Sequence, residues 1–295
     1  MFPESKGEDC WQLLPTKGEK VDAKMKETAS TRDKAPLAVF IDFEGTLNDV
    51  NGSGRLYVRD FLSWARGSYP ADPAVWATAL AKAMEGVFRN QAAAARHPAA
   101  WPGYVAYRRR ELTVWAQDLF REAGMVVPGD EEALDLALRL EDEVPSKMVP
   151  LPGALELVNA LADHNGRQLF IASGAPSTYT KQCLQSAGVL GYFQRVLGPD
   201  VVDTLKTGPE YYRRAFRATG YSPDQCAVID DSPGPLAWAL QTGARAVVAV
   251  GKASETAEAA GAAGGPEPAT PLPPGKLFRA ASLSGVPAIL EQLEA

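Results

Sequence analysis

Two carboxylates lie two residues apart, directly after the first strongly apolar segment of the chain. The segment covers residues 37–41, the acids are Asp42 and Glu44, and Gly45 and Thr46 follow them. Acids at this spacing can divide the work of a hydrolase, one as a nucleophile and the other as a general acid and base. Glycine lets the backbone turn sharply, and threonine offers a hydroxyl. This acidic turn is therefore the first candidate catalytic element.

Three more polar elements follow later in the chain. Ser173 and Gly174 end an apolar run, and a hydroxyl with backbone N–H groups near a helix start suits a phosphate oxygen. Lys206 carries an ammonium that could keep a nearby nucleophile charged and balance a phosphoryl group. Asp230 and Asp231 end another apolar run, and adjacent carboxylates at a strand end form a hard oxygen site suited to Mg²⁺.

A parallel sheet would bring these elements together. Short, continuous apolar runs are typical of strands buried on both faces, and they alternate here with helical patterns. The runs cover residues 37–41, 168–173, 195–197, 226–230 and 246–250. This alternation predicts an α/β fold with a doubly wound, Rossmann-like parallel sheet. Ligands bind beyond the carboxyl ends of the strands in such sheets, where all four polar elements lie.

An insert of roughly a hundred residues, far too long for a crossover loop, separates the first two predicted strands. Its apolar residues repeat with helical spacing at Trp76, Leu80, Met84 and Phe88, and again at Leu112, Trp115 and Leu119. We predict a helical cap domain at residues 53–146, with these side chains in its core. The α/β core domain would comprise residues 35–52 and 147–295, and the polar residues 1–34 would form a disordered leader.

The composition narrows the classes of partner. The net charge of −6 argues against a general nucleic-acid binder, which would normally show a basic face. The start of the chain has no pattern of a secretory signal, and its apolar runs are too short to cross a bilayer. Three scattered cysteines do not form a disulfide framework. These features predict a cytoplasmic protein with no membrane partner.

The four polar elements, in this order, resemble the four motifs of the haloacid dehalogenase superfamily. The resemblance extends from about residue 37 to residue 293, with a helical insert after the first motif. Each motif alone is weak, but four motifs at strand ends are specific.

This resemblance implies an Mg²⁺-dependent phosphohydrolase that acts on a small phosphorylated metabolite. Asp42 would attack phosphorus and form an aspartyl-phosphate, which water then hydrolyses. The ion would be held by Asp42, the backbone carbonyl of Glu44 and Asp231, with Asp230 bound directly or through water. Ser173 and Lys206 would position the phosphoryl group, together with Gly174 and Thr46, and the cap would close over the substrate.

One residue departs from the pattern of most phosphatases in this superfamily, which have Asp two residues after the nucleophile. The extra methylene of Glu44 moves the carboxyl by about 1.5 Å, enough to spoil proton delivery in an unadjusted site. The enolase-phosphatases of methionine salvage carry Glu here, so an enzyme of that kind is one alternative. A sugar phosphomutase and a catalytically weakened scaffold are two others. A carbon–halogen hydrolase is disfavoured, because the pair Asp230 and Asp231 would be an electrostatic burden without a metal.

Overall fold

A six-stranded parallel sheet lies at the centre of the described part of the chain. The computed structural model describes residues 37–69, 72–96, 102–164, 167–251 and 275–295. The strands are β1 (Leu37–Ile41), β2 (Arg167–Ala172), β3 (Arg195–Leu197), β4 (Cys226–Asp230), β5 (Ala246–Val250) and β6 (Leu277–Ala280). Their spatial order is β3-β2-β1-β4-β5-β6, and every pair is parallel. The predicted α/β fold class is confirmed.

The central strand β1 is completely buried and pairs with β2 on one side and β4 on the other. Ile41, its last residue, lies opposite Ile171 of β2 and Ile229 of β4. The order of the strands reverses at β1, and such a switch point is where doubly wound sheets bind ligands. The carboxyl ends of β2, β1 and β4 therefore meet at one edge of the sheet.

Helices cover both faces of this sheet. The helices of the described residues are α1 (Val50–Ser68), α2 (Pro73–Arg96), α3 (Tyr104–Glu122), α4 (Asp130–Glu143), α5 (Ala154–Ala162), α6 (Ser177–Ser186), α7 (Pro199–Val202), α8 (Pro209–Thr219), α9 (Pro233–Gln241) and α10 (Val286–Glu294). Helices α5, α6 and α10 pack their apolar residues on one face, and α7, α8 and α9 pack on the other. No helix in the described ranges is both long and apolar enough to cross a bilayer.

The first four helices form a second apolar core, and we refer to α1–α4 as the four-helix unit. Its centre is aromatic, with Trp76 of α2 in edge-to-face contact with Phe61 of α1 and Phe120 of α3. Trp115 of α3 is also buried there. The predicted boundaries at residues 53 and 146 remain a prediction, and the predicted leader at residues 1–34 lies outside the described residues.

Two details differ from the sequence-based expectations. Phe88 was expected in the core of the insert but is 62% exposed. A helix turns about 100° per residue, so each four-residue step drifts about 40°, and Phe88 lies about 120° around α2 from Trp76. Strand β6 was not predicted, because its four residues, Leu-Phe-Arg-Ala, lie at the sheet edge and lack a long apolar run.

An ion pair anchors the last helix to the start of β2 and leads to a stability prediction. The guanidinium of Arg167 is nearly fully buried and donates to both carboxylate oxygens of Glu294, at 2.9 and 2.7 Å. We expect Glu294→Gln to lower the free energy of unfolding by about 1–2 kcal/mol at neutral pH, since it leaves a buried charge without its counterion. The value is below that of a fully buried pair because Glu294 is partly exposed.

The pH dependence of this effect follows from the pKa of Glu294. Hydrogen bonds from Arg167 hold that pKa below its usual value, so the stabilisation is present above the unfolded pKa of about 4.3. It is lost as the pH falls through the folded pKa. Urea unfolding should therefore show that Glu294→Gln has a lower free energy of unfolding than the unsubstituted chain at pH 7, and that this difference shrinks in acid. Glu291→Gln, an exposed acid on the same helix, is the control, and an equal deficit there would contradict the prediction.

Candidate active site

The candidate site lies where β1 and β4 end side by side. The backbone N–H of Asp42 donates to the carbonyl of Ile229 at 2.9 Å, which extends the ladder between these strands by one residue. Asp42 is therefore held in an extended position beside Asp230, the last residue of β4. Both side chains are buried, whereas Asp231 is half-buried at the mouth of the site.

Three carboxylates converge at this edge of the sheet. One oxygen atom from each of Asp42, Asp230 and Asp231 lies within 4.8 Å of the others. Oδ2 of Asp42 is buried and has no hydrogen-bond partner, although buried acceptors are nearly always paired. Hard oxygen ligands and an unsatisfied buried anion fit a divalent cation such as Mg²⁺. The carboxylate of Glu44 does not belong to this cluster of described residues.

Lys206 fills the space between two of these acids. Its Nζ lies 2.7 Å from Oδ1 of Asp42, 2.8 Å from Oδ2 of Asp230 and 2.8 Å from the carbonyl oxygen of Ala172. The three hydrogens of the ammonium therefore each have an acceptor. Burial would lower the pKa of Lys206, but the carboxylates of Asp230 and Asp42 outweigh it and raise that pKa well above its usual value. The lysine is a fixed positive charge.

The acids at the end of β4 have raised pKa values. Burial is the main cause for Asp230, and the charge of Asp42 adds to it while Lys206 opposes it. Burial and the charge of Asp42 also raise the pKa of Asp231, against a hydrogen bond from Ser232. One ammonium does not balance three carboxylates, so a bound cation would offset the remaining negative charge.

The acidic turn depends on a glycine and a threonine. Gly45 adopts a φ of +86°, and a Cβ atom there would come 2.5 Å from Oδ2 of Asp231. Only glycine adopts this positive φ without strain and has no Cβ atom to collide with Asp231. Thr46 is buried, and its Oγ1 accepts a hydrogen bond of 3.1 Å from the backbone N–H of Asp231. Thr46 thus connects the ends of β1 and β4, and its predicted role in substrate binding remains a prediction.

The predicted phosphate-binding element lies beside Lys206. Ser173 is fully buried, and its Oγ accepts a hydrogen bond of 3.0 Å from the N–H of Ala175. Gly174 is exposed, and a Cβ atom there would come 3.9 Å from Cβ of Lys206. The buried hydroxyl of Tyr211 lies 2.9 Å and 2.7 Å from the carbonyl oxygens of Ser173 and Leu197, which ties the ends of β2 and β3 together.

Glu44 is held in an environment of its own. It is half-buried and accepts a hydrogen bond of 3.1 Å from the side-chain amide of Asn48, and the hydroxyl of Tyr179 lies nearby. Burial is the main cause that raises the pKa of Glu44, and the charge of Asp42 adds to it, whereas Tyr179 and Asn48 oppose it. Sequence reasoning missed Asn48, Tyr179 and Tyr211. The four-residue spacing of Glu44 and Asn48 was the one local signal.

The structure brings the predicted site residues to one edge of the sheet. Comparison with known proteins bears on the family and the fold. The model of a family described as haloacid dehalogenase-like hydrolase matches residues 36–242, more than two thirds of the chain. Phosphoglycolate phosphatase of Rhodospirillum rubrum is 31% identical over 97 residues, which cover 33% of this chain and 40% of that protein. The chain spans less than half the length of the curated relatives it matches.

Solved structures show the same fold at low sequence identity. The magnesium-bound HAD-hydrolase YfnB of Bacillus subtilis has a TM-score of 0.54 at 16% identity, over 87% of this chain and 99% of that one. An L-2-haloacid dehalogenase of Xanthobacter autotrophicus also has a TM-score of 0.54 at 16% identity, over 87% and 98% of the two chains. At this level of identity the likeness establishes the fold alone.

Proposed function

The chain belongs to the haloacid dehalogenase-like hydrolases, and from that premise we propose that it is a magnesium-dependent phosphatase. Its substrate would be a small phosphorylated metabolite, and the reaction would pass through an aspartyl-phosphate on Asp42. The observation that carries the proposal is the cluster of Asp42, Asp230 and Asp231, in which one oxygen of Asp42, Oδ2, is buried and unpaired. The other oxygen of Asp42, Oδ1, is held by the ammonium of Lys206.

The first half-reaction forms a bond between a carboxylate oxygen of Asp42 and phosphorus. Lys206 donates to Oδ1 and so orients the carboxylate of Asp42, while Oδ2 has no hydrogen bond to lose before it attacks. The bond from phosphorus to the leaving oxygen breaks, and Glu44 supplies the proton that this oxygen takes up. Mg²⁺ held by Asp42, the backbone carbonyl of Glu44 and the acids after β4 would supply positive charge to the transferring group.

The second half-reaction returns the enzyme to its starting state. Glu44, now ionised, takes a proton from a water molecule, and the water oxygen forms a bond to phosphorus as the bond to Asp42 breaks. Phosphate leaves and Glu44 is protonated again. Ser173 and Gly174 would orient the phosphoryl group next to Lys206, where the exposed backbone at Gly174 leaves room for a ligand.

Carbon–halogen hydrolysis is the competing chemistry, since several structural neighbours are dehalogenases. It would leave three neighbouring carboxylates, those of Asp42, Asp230 and Asp231, opposed by the single ammonium of Lys206. Buried charge that is not balanced is costly, so the acid pair favours a reaction that uses a metal. Two of the curated relatives are named as phosphatases, which supports the same choice.

The test is release of inorganic phosphate by the purified chain. p-Nitrophenyl phosphate and a panel of phosphorylated metabolites would be assayed with Mg²⁺ and with a chelator, beside release of halide from 2-haloalkanoates. Phosphate release that needs Mg²⁺ supports the proposal. Release of halide without a metal, or no release from any phosphate, would overturn it. Preference for an enediol phosphate would favour the enolase-phosphatase alternative, and conversion of one sugar phosphate into its isomer would favour a mutase.

Asp231 offers a prediction about the metal. Asp231→Asn removes one charged ligand at the mouth of the site, so we expect the Mg²⁺ concentration for half-maximal activity to rise about tenfold or more. The free energy of unfolding without metal should not fall, because burial, and then the charge of Asp42, raise the pKa of Asp231 and so disfavour its ionised form in the folded state. Asp224→Asn, an exposed acid before the other end of β4, is the control. An unchanged requirement for Mg²⁺ would rule out Asp231 as a ligand.

A further inference from the structure

The side chain of Asn48 connects Glu44 to both chain segments that join the sheet to the four-helix unit. Asn48 is completely buried, which is unusual for a polar amide. Its Nδ2 donates to Oε2 of Glu44 at 3.1 Å and to Oγ of Ser53, on α1, at 3.0 Å. Its Oδ1 accepts from the backbone N–H of Val149 at 2.9 Å, in the segment that returns from α4.

These partners fix which way the amide points. The backbone N–H of Val149 can only donate, so the atom of Asn48 that faces it must be the oxygen. The NH₂ group is therefore turned towards Glu44, where it meets an acceptor. If the amide were flipped, its NH₂ group would face the N–H of Val149, which is also a donor. Its oxygen would then face the carboxylate of Glu44, which is also an acceptor. The orientation is built into the fold and does not depend on Glu44 itself.

Tyr179, on α6, approaches the same carboxylate from a different part of the fold. It lies in the first turn of α6, and its hydroxyl is near enough to Glu44 to favour the ionised carboxylate and hold the pKa of Glu44 down. Its ring is packed edge-to-face on Phe43, with centroids 6.4 Å apart, so the hydroxyl has little freedom to move. Glu44 thus lies between the amide of Asn48, which donates to it from its own turn, and a hydroxyl on the helix that follows the phosphate-binding element.

We propose that Asn48 and Tyr179 are positioning residues that adapt this site to glutamate in place of the shorter aspartate. The inference rests on the proposed function, in which Glu44 protonates the leaving oxygen. Glutamate has one more rotatable bond than aspartate, and an untethered carboxylate would sample positions out of reach of the leaving group. The two donors select one of these positions. None of the three hydrogen bonds of the Asn48 side chain goes to the cluster of acids, so both residues would act through Glu44.

The dependence of the rate on the leaving group reveals this role. A poor leaving group such as the alkoxide of glycerol phosphate needs a proton from a general acid, whereas nitrophenolate leaves readily without one. We expect Tyr179→Phe and Asn48→Leu to lower kcat/KM for glycerol phosphate about tenfold or more, with a change of less than about twofold for p-nitrophenyl phosphate. This constant is the one to compare, because it reports the steps up to loss of the leaving group and excludes the later hydrolysis of the aspartyl-phosphate, which both substrates share. In a Glu44→Gln background the same substitutions should add nothing further, because their target is gone.

Matched variants distinguish a specific effect on the position of Glu44 from a general loss of activity or folding. Tyr192→Phe, at a partly exposed ring elsewhere, should leave the ratio of the two rates unchanged. If Asn48→Leu fails to fold, Tyr179→Phe still decides the matter. The inference is overturned if the ratio of the two rates does not move, including the case in which both rates fall equally. It is also overturned if the ratio still shifts in the Glu44→Gln background. A wild-type chain that releases no phosphate from either substrate would instead refute the proposed function, and the inference with it.

Discussion

Asp42→Asn is expected to abolish turnover, with kcat lowered by a factor of at least about 10⁴. The amide keeps the shape of the carboxylate but lacks the nucleophilic oxygen anion that forms the bond to phosphorus. The substituted side chain still presents an oxygen to Lys206, which lies 2.7 Å from Oδ1. The defect should therefore be chemical, and phosphate release in a single turnover is the measurement that shows it.

Folding should survive this substitution. Loss of the charge removes an attraction to Lys206, but it also removes repulsion from Asp230 and Asp231 in the same cluster. These effects oppose each other, so we expect the free energy of unfolding without metal to change by less than about 1 kcal/mol. Asp224→Asn serves again as the matched control, and near-normal turnover by Asp42→Asn would refute Asp42 as the nucleophile.

Lys206→Met is expected to damage both activity and stability. Methionine fills a similar volume but removes the ammonium that contacts Asp42, Asp230 and the carbonyl of Ala172. Two buried carboxylates then face each other without a counterion, which costs about 3 kcal/mol in the absence of metal. The rate should fall by about 10²–10³, since a fixed positive charge beside the phosphoryl group is lost. Urea unfolding and phosphate release measure the two effects.

Two further variants sharpen this test. Lys206→Arg retains the charge, but its planar fork cannot replace three contacts that converge on one nitrogen atom, so it should recover more stability than activity. Added Mg²⁺ should recover part of the stability of Lys206→Met, because a bound cation offsets the same carboxylates. Lys147→Met, which breaks an exposed ion pair with Asp60, should change stability by less than about 0.5 kcal/mol. An equal loss there would contradict the argument.

The position of the site could be predicted from the sequence because strand ends are visible in it. The apolar runs before Asp42 and Asp230 are continuous, and strands that are buried on both faces must lie in the middle of a parallel sheet. Their carboxyl ends then lie at one edge, with adjacent strands less than about 5 Å apart. Because β1 and β4 are neighbours in the structure, the meeting of these two acids follows from that geometry, without any knowledge of side-chain contacts.

The surroundings of Glu44 could not be predicted in the same way. A single asparagine after a turn is usually solvated, yet Asn48 is fully buried by contacts with residues 53 and 149, which are distant in sequence from each other. For Tyr179, the sequence pattern predicted only a place in the helix that follows Ser173. The error at Phe88 has a simpler cause, because spacing by four residues was taken as one face of a helix that repeats every 3.6. Side-chain partners depend on tertiary packing, which local pattern does not encode.

The aromatic core of the four-helix unit has a consequence for spectroscopy. Trp64, Trp76 and Trp115 lie on α1, α2 and α3, whereas Trp238 on α9 is the indole that packs beside the sheet among the described residues. The fluorescence of the four described tryptophans is therefore weighted towards the four-helix unit, and circular dichroism averages over the helices of both cores. Overlaying the two signals along a denaturant titration distinguishes a single cooperative transition from sequential melting of the two halves.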